Sequence, residues 1–231
     1  MIAPRVAIDN PTKVENIVLM GAVAENLIDI MDFQLVENPL MYTKKILDKN
    51  NTGELSIQTI ARDDFLKNIL LTSPRSEHND TESVTQDLIK LFNTQGNATD
   101  RISIQSQLKP IFIESFNNAT NVSNTECVDN ICPKWVESHR NLLPTLDIIG
   151  NVSSSINILI LNGENDSQST IQQALLLNQK LDEKGHVNHE FITYPNLGHL
   201  FYPSSKWETG LGPIQPNVLS DLYAWLESKS R

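Results

Sequence analysis

Residues 156–166 read INILILNGEND, and residues 194–201 read YPNLGHLF. The first is an apolar run without alternation that stops at an acidic turn. A run of that kind suits a strand buried on both faces, as in a parallel sheet. The second begins at the end of another strand pattern, HEFITY at residues 189–194, and stops at Gly198-His199. Between the two lies a helical pattern with Ile171, Ala174, Leu175, Leu177 and Leu181 on one side, and Gly185 placed to cap it. Strand, helix and strand in that order read as a parallel βαβ unit.

Working outward, residues 16–24 (NIVLMGAVA) have the same unalternated character as residues 156–161. Residues 3–10 read as the end of a helix, closed by Asp9, Asn10 and Pro11, since proline cannot continue it. A last amphipathic helix follows Pro216, with Val218, Leu219, Leu222, Tyr223 and Leu226 on its apolar side. The fold class expected is α/β with a parallel sheet. Residues 25–150 break the rhythm and read as helical segments rather than strands. Their apolar faces are Leu27, Ile28, Ile30 and Met31, then Phe65, Leu66, Ile69 and Leu70, then Leu88, Ile89, Leu91 and Phe92, and finally Leu108, Ile111, Phe112 and Phe116. Ser83 to Gln86 and Ser169 to Gln172 both have the form of a capping box. No internal repeat shows at a fixed period.

In open parallel sheets, functional groups gather beyond the carboxyl ends of the strands. Asp166 stands there after the first strand quoted, and His199 after the second. An acid and then a histidine, separated by one helix, have the order of the last two members of a hydrolase triad. The carboxylate would fix the tautomer of the imidazole and stabilise the imidazolium. A simpler reading makes Asp166 a turn former or helix start. It makes His199 a packing residue near Phe201, Tyr202 and Trp207. Tyr202 and Trp207 would line a pocket or only pack. His186 and His189 read as structural, and His78 and His139 carry no assigned role.

The residues from 156 onward resemble the end of an α/β-hydrolase of the serine-aminopeptidase, prolyl-oligopeptidase-like or acyl-esterase type. The resemblance rests on Gly163-x-x-Asp166 and Gly198-His199, and on the opening Ile2-Ala3-Pro4-Arg5-Val6-Ala7 followed by NIVLMGA. It implies a partial α/β-hydrolase sheet with an inserted, mostly helical cap. Residues 1–24 and 151–231 would be hydrolase core and residues 25–150 the cap. It implies a serine hydrolase cleaving an ester or amide (peptide) bond in a small-molecule ester or peptide substrate, with no organic cofactor or catalytic metal. Asp166 and His199 would be its catalytic acid and base.

No Gly-x-Ser-x-Gly occurs in the chain. The resemblance would place the nucleophilic serine just before Met1, so the chain is expected to be a fragment, inactive alone. Ser153, Ser154 and Ser155 precede a strand, and Ser204 and Ser205 follow His199 closely. Neither group has the place of a nucleophile elbow. The alternative reading is a non-catalytic, calcium-stabilised extracellular binding module. It draws on residues 48–59 (DKNNTGELSIQT), which resemble an EF-hand loop. Oxygen donors stand at positions 1, 3, 5 and 9 and glycine at position 6, while Thr59 replaces the bidentate glutamate at position 12. A structural calcium between Asp48 and Thr59 is thus the one cofactor the sequence raises.

Composition narrows the class further. With 39% hydrophobic and 20% charged residues, the chain can fold. A net charge of −10 argues against nucleic acid or an anionic membrane surface as the main partner. No run of about 18 apolar residues is present, so no transmembrane helix is expected. No signal-peptide pattern follows Met1. Cys127 and Cys132 are too few for a four-ligand zinc site, and a disulfide between them would need an oxidising compartment. Asn79, Asn97, Asn118, Asn121, Asn151 and Asn165 begin Asn-x-Ser/Thr sequons. The sequence alone leaves the compartment open between extracytoplasmic and cytoplasmic.

Overall fold

The computed structural model describes residues 2–70, 81–95, 100–123, 126–127, 131–207 and 210–229. His78, Asn79 and Asn97 lie outside these residues. Five strands are described: β1 (Asn16–Met20), β2 (Glu54–Ser56), β3 (Arg101–Ser103), β4 (Asn157–Gly163) and β5 (His189–Tyr194). The chain divides into two compact units, Met1–Ile30 with Lys134–Arg231, and Met31–Pro133.

The first unit is a three-stranded parallel sheet in the order β1-β4-β5. Central β4 is the INILILNG stretch. Successive side chains of a strand point to opposite faces. Ile158 and Ile160 therefore enter one core with Ile17, Leu19, Ala174, Leu177 and Leu181. Leu159 and Leu161 enter a second core with Tyr194, Leu197, Phe201, Val218 and Trp225. All four of these β4 residues are fully buried. The run lacks alternation because helices cover both faces. Each such side chain contributes roughly 1.5–3 kcal/mol on burial. The helices Ala3–Asp9 and Ile171–Glu183 supply the first core, and Pro216–Lys229 supplies the second.

Gly185 ends the helix Ile171–Glu183 as expected. Its φ is +67°, its N–H donates to Asp182 O at 2.9 Å, and His186 N donates to Leu181 O at 3.0 Å. Those two bonds make a Schellman closure. The last helix presents a different face from the one expected. Val218 and Trp225 are buried and Leu222 packs beside them, while Leu219, Tyr223 and Leu226 are exposed. Trp225 decides this, because its indole N–H donates to Glu190 Oε1 on β5 at 3.1 Å.

The second unit is mainly helical but holds two strands, where helices alone were expected. β2 and β3 pair antiparallel, with Leu55 opposite Ile102, Glu54 opposite Ser103, and Ser56 opposite Arg101. That register is symmetric about the buried Leu55–Ile102 pair. Each strand runs into a helical turn opened by a serine. Ser56 Oγ accepts from Thr59 N at 3.1 Å, and Ser103 Oγ accepts from Ser106 N at 3.2 Å. The unit thus contains a local structural repeat that the sequence does not display. Ser83 is not a cap, because the helix there already begins at Thr81 (Thr81–Phe92). Cys127 and Cys132 form a disulfide.

Candidate active site

The register of the sheet sets the site. Gly163 pairs with Tyr194, so the carboxyl ends of β4 and β5 lie side by side. Beyond β4 the chain turns sharply. Glu164 N donates to Tyr194 O at 3.0 Å, Asn165 N to Leu197 O at 2.9 Å, and Asp166 N to Gly163 O at 3.2 Å. Beyond β5 a tight loop is closed by a bridge between Leu197 and Pro203, with Gly198 N donating to Tyr202 O at 2.9 Å. Asn165 Nδ2 ties the two loops together through Ser204 O at 2.8 Å.

These turns bring Asp166 and His199 together. His199 Nδ1 lies 2.9 Å from Asp166 Oδ2. The Asp166 side chain is fully buried, and that of His199 is 29% exposed. Asp166 Oδ1 also accepts from Gln168 N and Ser169 N, each at 2.8 Å. The turn-former reading of Asp166 and the triad reading are therefore compatible. One oxygen shapes the turn and the other holds the histidine. A carboxylate at Nδ1 places the proton on that nitrogen and leaves Nε2 with its lone pair free for proton transfer.

Sequence reasoning missed Ser169, which it took for a helix cap. The helix Ile171–Glu183 has Thr170 at its N-cap position without a side-chain cap bond. Ser169 is buried, and its Oγ donates to Ala22 O at 3.0 Å while its N–H holds Asp166. The local sequence signal for the second role was the aspartate itself, which commonly accepts from backbone N–H groups two or three residues on.

The hydrogen bond with Asp166 raises the His199 pKa above its ordinary value. Burial works against the rise, and the negative charge of Asp166 adds to it. The folded state thus binds this proton more tightly than the unfolded chain, whose imidazole titrates near 6.5. The resulting stabilisation is fully present below about pH 6.5 and is lost as pH rises through the folded-state value. Urea unfolding at a series of pH values from 6 to 9 is therefore expected to show a larger fall in stability for the parent chain than for His199→Gln. Superimposable pH profiles would contradict this.

Ser153, Ser155, Ser204 and Ser205 have hydroxyls bonded to partners other than His199. Ser153 and Ser155 bond one another at 2.8 Å before β4, at the opposite end of that strand. Seven residues at about 3.3 Å each separate the two ends by roughly 20 Å. Ser204 Oγ donates to Tyr202 O at 2.9 Å and accepts from Gly210 N at 2.8 Å, and Ser205 Oγ accepts from Trp207 N at 3.2 Å. The Tyr202 ring packs where a Cβ on Gly212 would stand. His186 Nε2 bonds Ser153 O, and His189 bonds His186 O and Asp182, all at the entry to β5. His139 bonds its own helix at Trp135 O.

In residues 48–59 the Asp48 carboxylate is taken up by the backbone of its own turn. Asp48 Oδ1 accepts from Thr52 N at 2.8 Å and from Thr52 Oγ1 at 3.0 Å, and Oδ2 accepts from Gly53 N at 2.7 Å. Burial opposes the Asp48 charge, yet these bonds hold its pKa below the ordinary value. Thr59 brings no carboxylate, and its hydroxyl pairs with Ser56 Oγ at 2.8 Å. Lys44 lines the same depression and would repel a cation. Among the described residues, no group of three or more His, Cys, Asp or Glu is placed to hold a metal, and no helix is long and apolar enough to cross a membrane.

A family model described as the prolyl oligopeptidase family matches residues 114–229, half of the chain. Among solved structures, the chain is similar to a candidate non-heme bromoperoxidase, BpoC, from Mycobacterium tuberculosis H37Rv. The identity is 14% and the TM-score 0.41, over 99% of this chain and 63% of that one. It is also similar to MGS-M2, an alpha/beta hydrolase enzyme from a Medee basin deep-sea metagenome library. There the identity is 15% and the TM-score 0.41, over 99% of this chain and 60% of that one. The chain thus spans less than two thirds of the length of these structures. No curated protein matches it.

Proposed function

The chain belongs to the prolyl oligopeptidase family, and from that premise we propose that it carries the acid–base part of a serine hydrolase acting on an ester or amide bond. The observation that supports this most is the 2.9 Å bond between His199 Nδ1 and Asp166 Oδ2 beyond the ends of adjacent parallel strands. In this reading a serine hydroxyl attacks the substrate carbonyl. His199 Nε2 takes the hydroxyl proton and then gives it to the leaving group. Asp166 keeps the imidazole in the Nδ1–H tautomer and stabilises the imidazolium.

The chain has no Gly-x-Ser-x-Gly. The serines at 153–155, 204 and 205 are engaged elsewhere or far from His199. The nucleophile is therefore proposed to come from a serine outside these 231 residues, together with the oxyanion-binding N–H groups. Acyl transfer through serine and histidine needs no metal or organic cofactor. The substrate is proposed to be a small ester or a peptide. The Cys127–Cys132 disulfide and the exposed sequon residues Asn118, Asn121 and Asn151 support an oxidising, extracytoplasmic setting.

Labelling with a fluorophosphonate and burst release from p-nitrophenyl acetate test the proposal. The 231-residue chain is expected to be unlabelled and to give no burst. A protein in which a nucleophile-bearing segment precedes this chain is expected to be labelled, and His199→Ala is expected to abolish the labelling. Absence of labelling in that longer protein would remove the hydrolase reading. A burst from the 231 residues alone, lost in His199→Ala, would overturn the placement of the nucleophile.

A further inference from the structure

We propose that Gly21 is a positioning residue that seats the His199 imidazole against Asp166, a role that rests on reading those two residues as the acid–base pair. Gly21 directly follows β1, the strand on the other side of β4 from β5. Its N–H donates to Leu161 O at 3.0 Å, which fixes it beside the end of β4. A Cβ at this position would stand 2.9 Å from His199 Nδ1, 3.0 Å from His199 Cε1 and 3.4 Å from Asp166 Oδ2. The space a side chain would need is thus filled by the edge of the ring that bonds the carboxylate. The backbone φ is +55°, in the left-handed region that favours glycine.

The segment after Gly21 has little room to retreat. Ala22 O accepts from Ser169 Oγ at 3.0 Å. Ala24 N and Glu25 N both donate to Gln173 Oε1, at 2.9 and 3.0 Å. Gln173 Nε2 donates to Glu25 Oε2 at 2.6 Å. Ser169 is also one of the two N–H donors to Asp166 Oδ1. Shifting this backbone to admit a Cβ would strain the same bonds that anchor the carboxylate. The imidazole is the group that yields, because among the described residues a single hydrogen bond holds it, and part of it faces solvent. Gly21 therefore acts on the reaction through His199 and touches no substrate.

The test is a proton NMR titration of His199 in the 231-residue chain, which needs no turnover. In the parent, His199 is expected to titrate above the ordinary imidazole range. Gly21→Ala and Asp166→Asn are both expected to return it toward that range. Gly185→Ala serves as the control, since it has φ +67° and open space around its Cβ, and it is expected to leave the titration unchanged. A Gly21→Ala curve that coincides with the parent curve overturns the proposal. Should Gly21→Ala fail to fold, Gly21→Ala combined with His199→Ala is compared with it in urea. Recovery of a cooperative transition supports the ring as the obstacle, and no recovery overturns the proposal. A parent-like Gly21→Ala curve with Asp166→Asn still shifted leaves the acid–base reading standing. Absence of hydrolysis in the longer protein, with the Gly21→Ala shift intact, removes that reading alone.

Discussion

Gly163→Ala is expected to destabilise the chain by about 3 kcal/mol, at the upper end for overpacking a closely packed site. Gly163 closes β4, and a Cβ there would stand 2.2 Å from Leu197 O, 2.7 Å from Gly198 O and 2.7 Å from the Leu197 carbonyl carbon. All three are backbone atoms, so no side chain can swing aside to relieve the contact. Leu197 O is itself the acceptor for Asn165 N, and Gly198 N is bonded to Tyr202 O. Displacing that turn would break the bonds closing the loop that carries His199. For a chain of this size, about 3 kcal/mol corresponds to a fall in Tm of roughly 6–12 °C. Urea unfolding followed by tryptophan fluorescence measures the loss, since Trp225 belongs to the core on that face of the sheet. A loss below about 1 kcal/mol would show that the turn can move, and that β4 and the His199 loop are less tightly joined than described.

The same residues show what a sequence can disclose. β4 was legible because a strand covered on both faces has no polar side to present, and residues 156–161 are apolar except Asn157. The Asp166–His199 pair was legible because both follow strands of one βαβ unit. The Gly163–Tyr194 register then turns that order into a distance of 2.9 Å. Ser169 was not legible. Its local pattern fits a capping box, but its hydroxyl bonds Ala22 O, a partner that only the folded chain brings near. The buried stripe of the last helix was misjudged for a similar reason, since Glu190 on β5 selects Trp225 over Leu219 and Leu226. β2 and β3 have three residues each, too few to show alternation, and their pairing depends on Leu55 meeting Ile102. The positive φ of Gly21 is equally invisible in the sequence, because a glycine after a strand reads only as punctuation.

Under the proposed function, Asp166→Asn is expected to lower kcat about 10⁴-fold in a protein that joins a nucleophile-bearing segment to this chain, while leaving the fold nearly intact, by analogy with the loss seen when a triad aspartate becomes asparagine. The asparagine carbonyl oxygen can still accept from Gln168 N and Ser169 N, as Oδ1 does in Asp166. The turn is therefore kept, and the expected stability change is within about 1 kcal/mol, the size of one ordinary hydrogen bond. What remains to face His199 Nδ1 is then an amide NH₂, a donor where the carboxylate oxygen was an acceptor. The imidazole must give up its Nδ1–H to meet it and move the proton to Nε2. The nitrogen proposed to take the serine proton is then already occupied. Asp166→Ala would not isolate this effect, because it would also release the two N–H groups that shape the turn. Two measurements separate tautomer from fold. Nitrogen-15 NMR of His199 in the 231-residue chain should show the proton on Nδ1 in the parent and on Nε2 in Asp166→Asn. Steady-state kinetics on a protein that joins a nucleophile-bearing segment to this chain should show the loss in kcat, with KM changing far less, because the Asp166 side chain is fully buried. A loss of less than tenfold, with the proton unmoved on Nδ1, would mean that the bond between Asp166 and His199 only packs the loop.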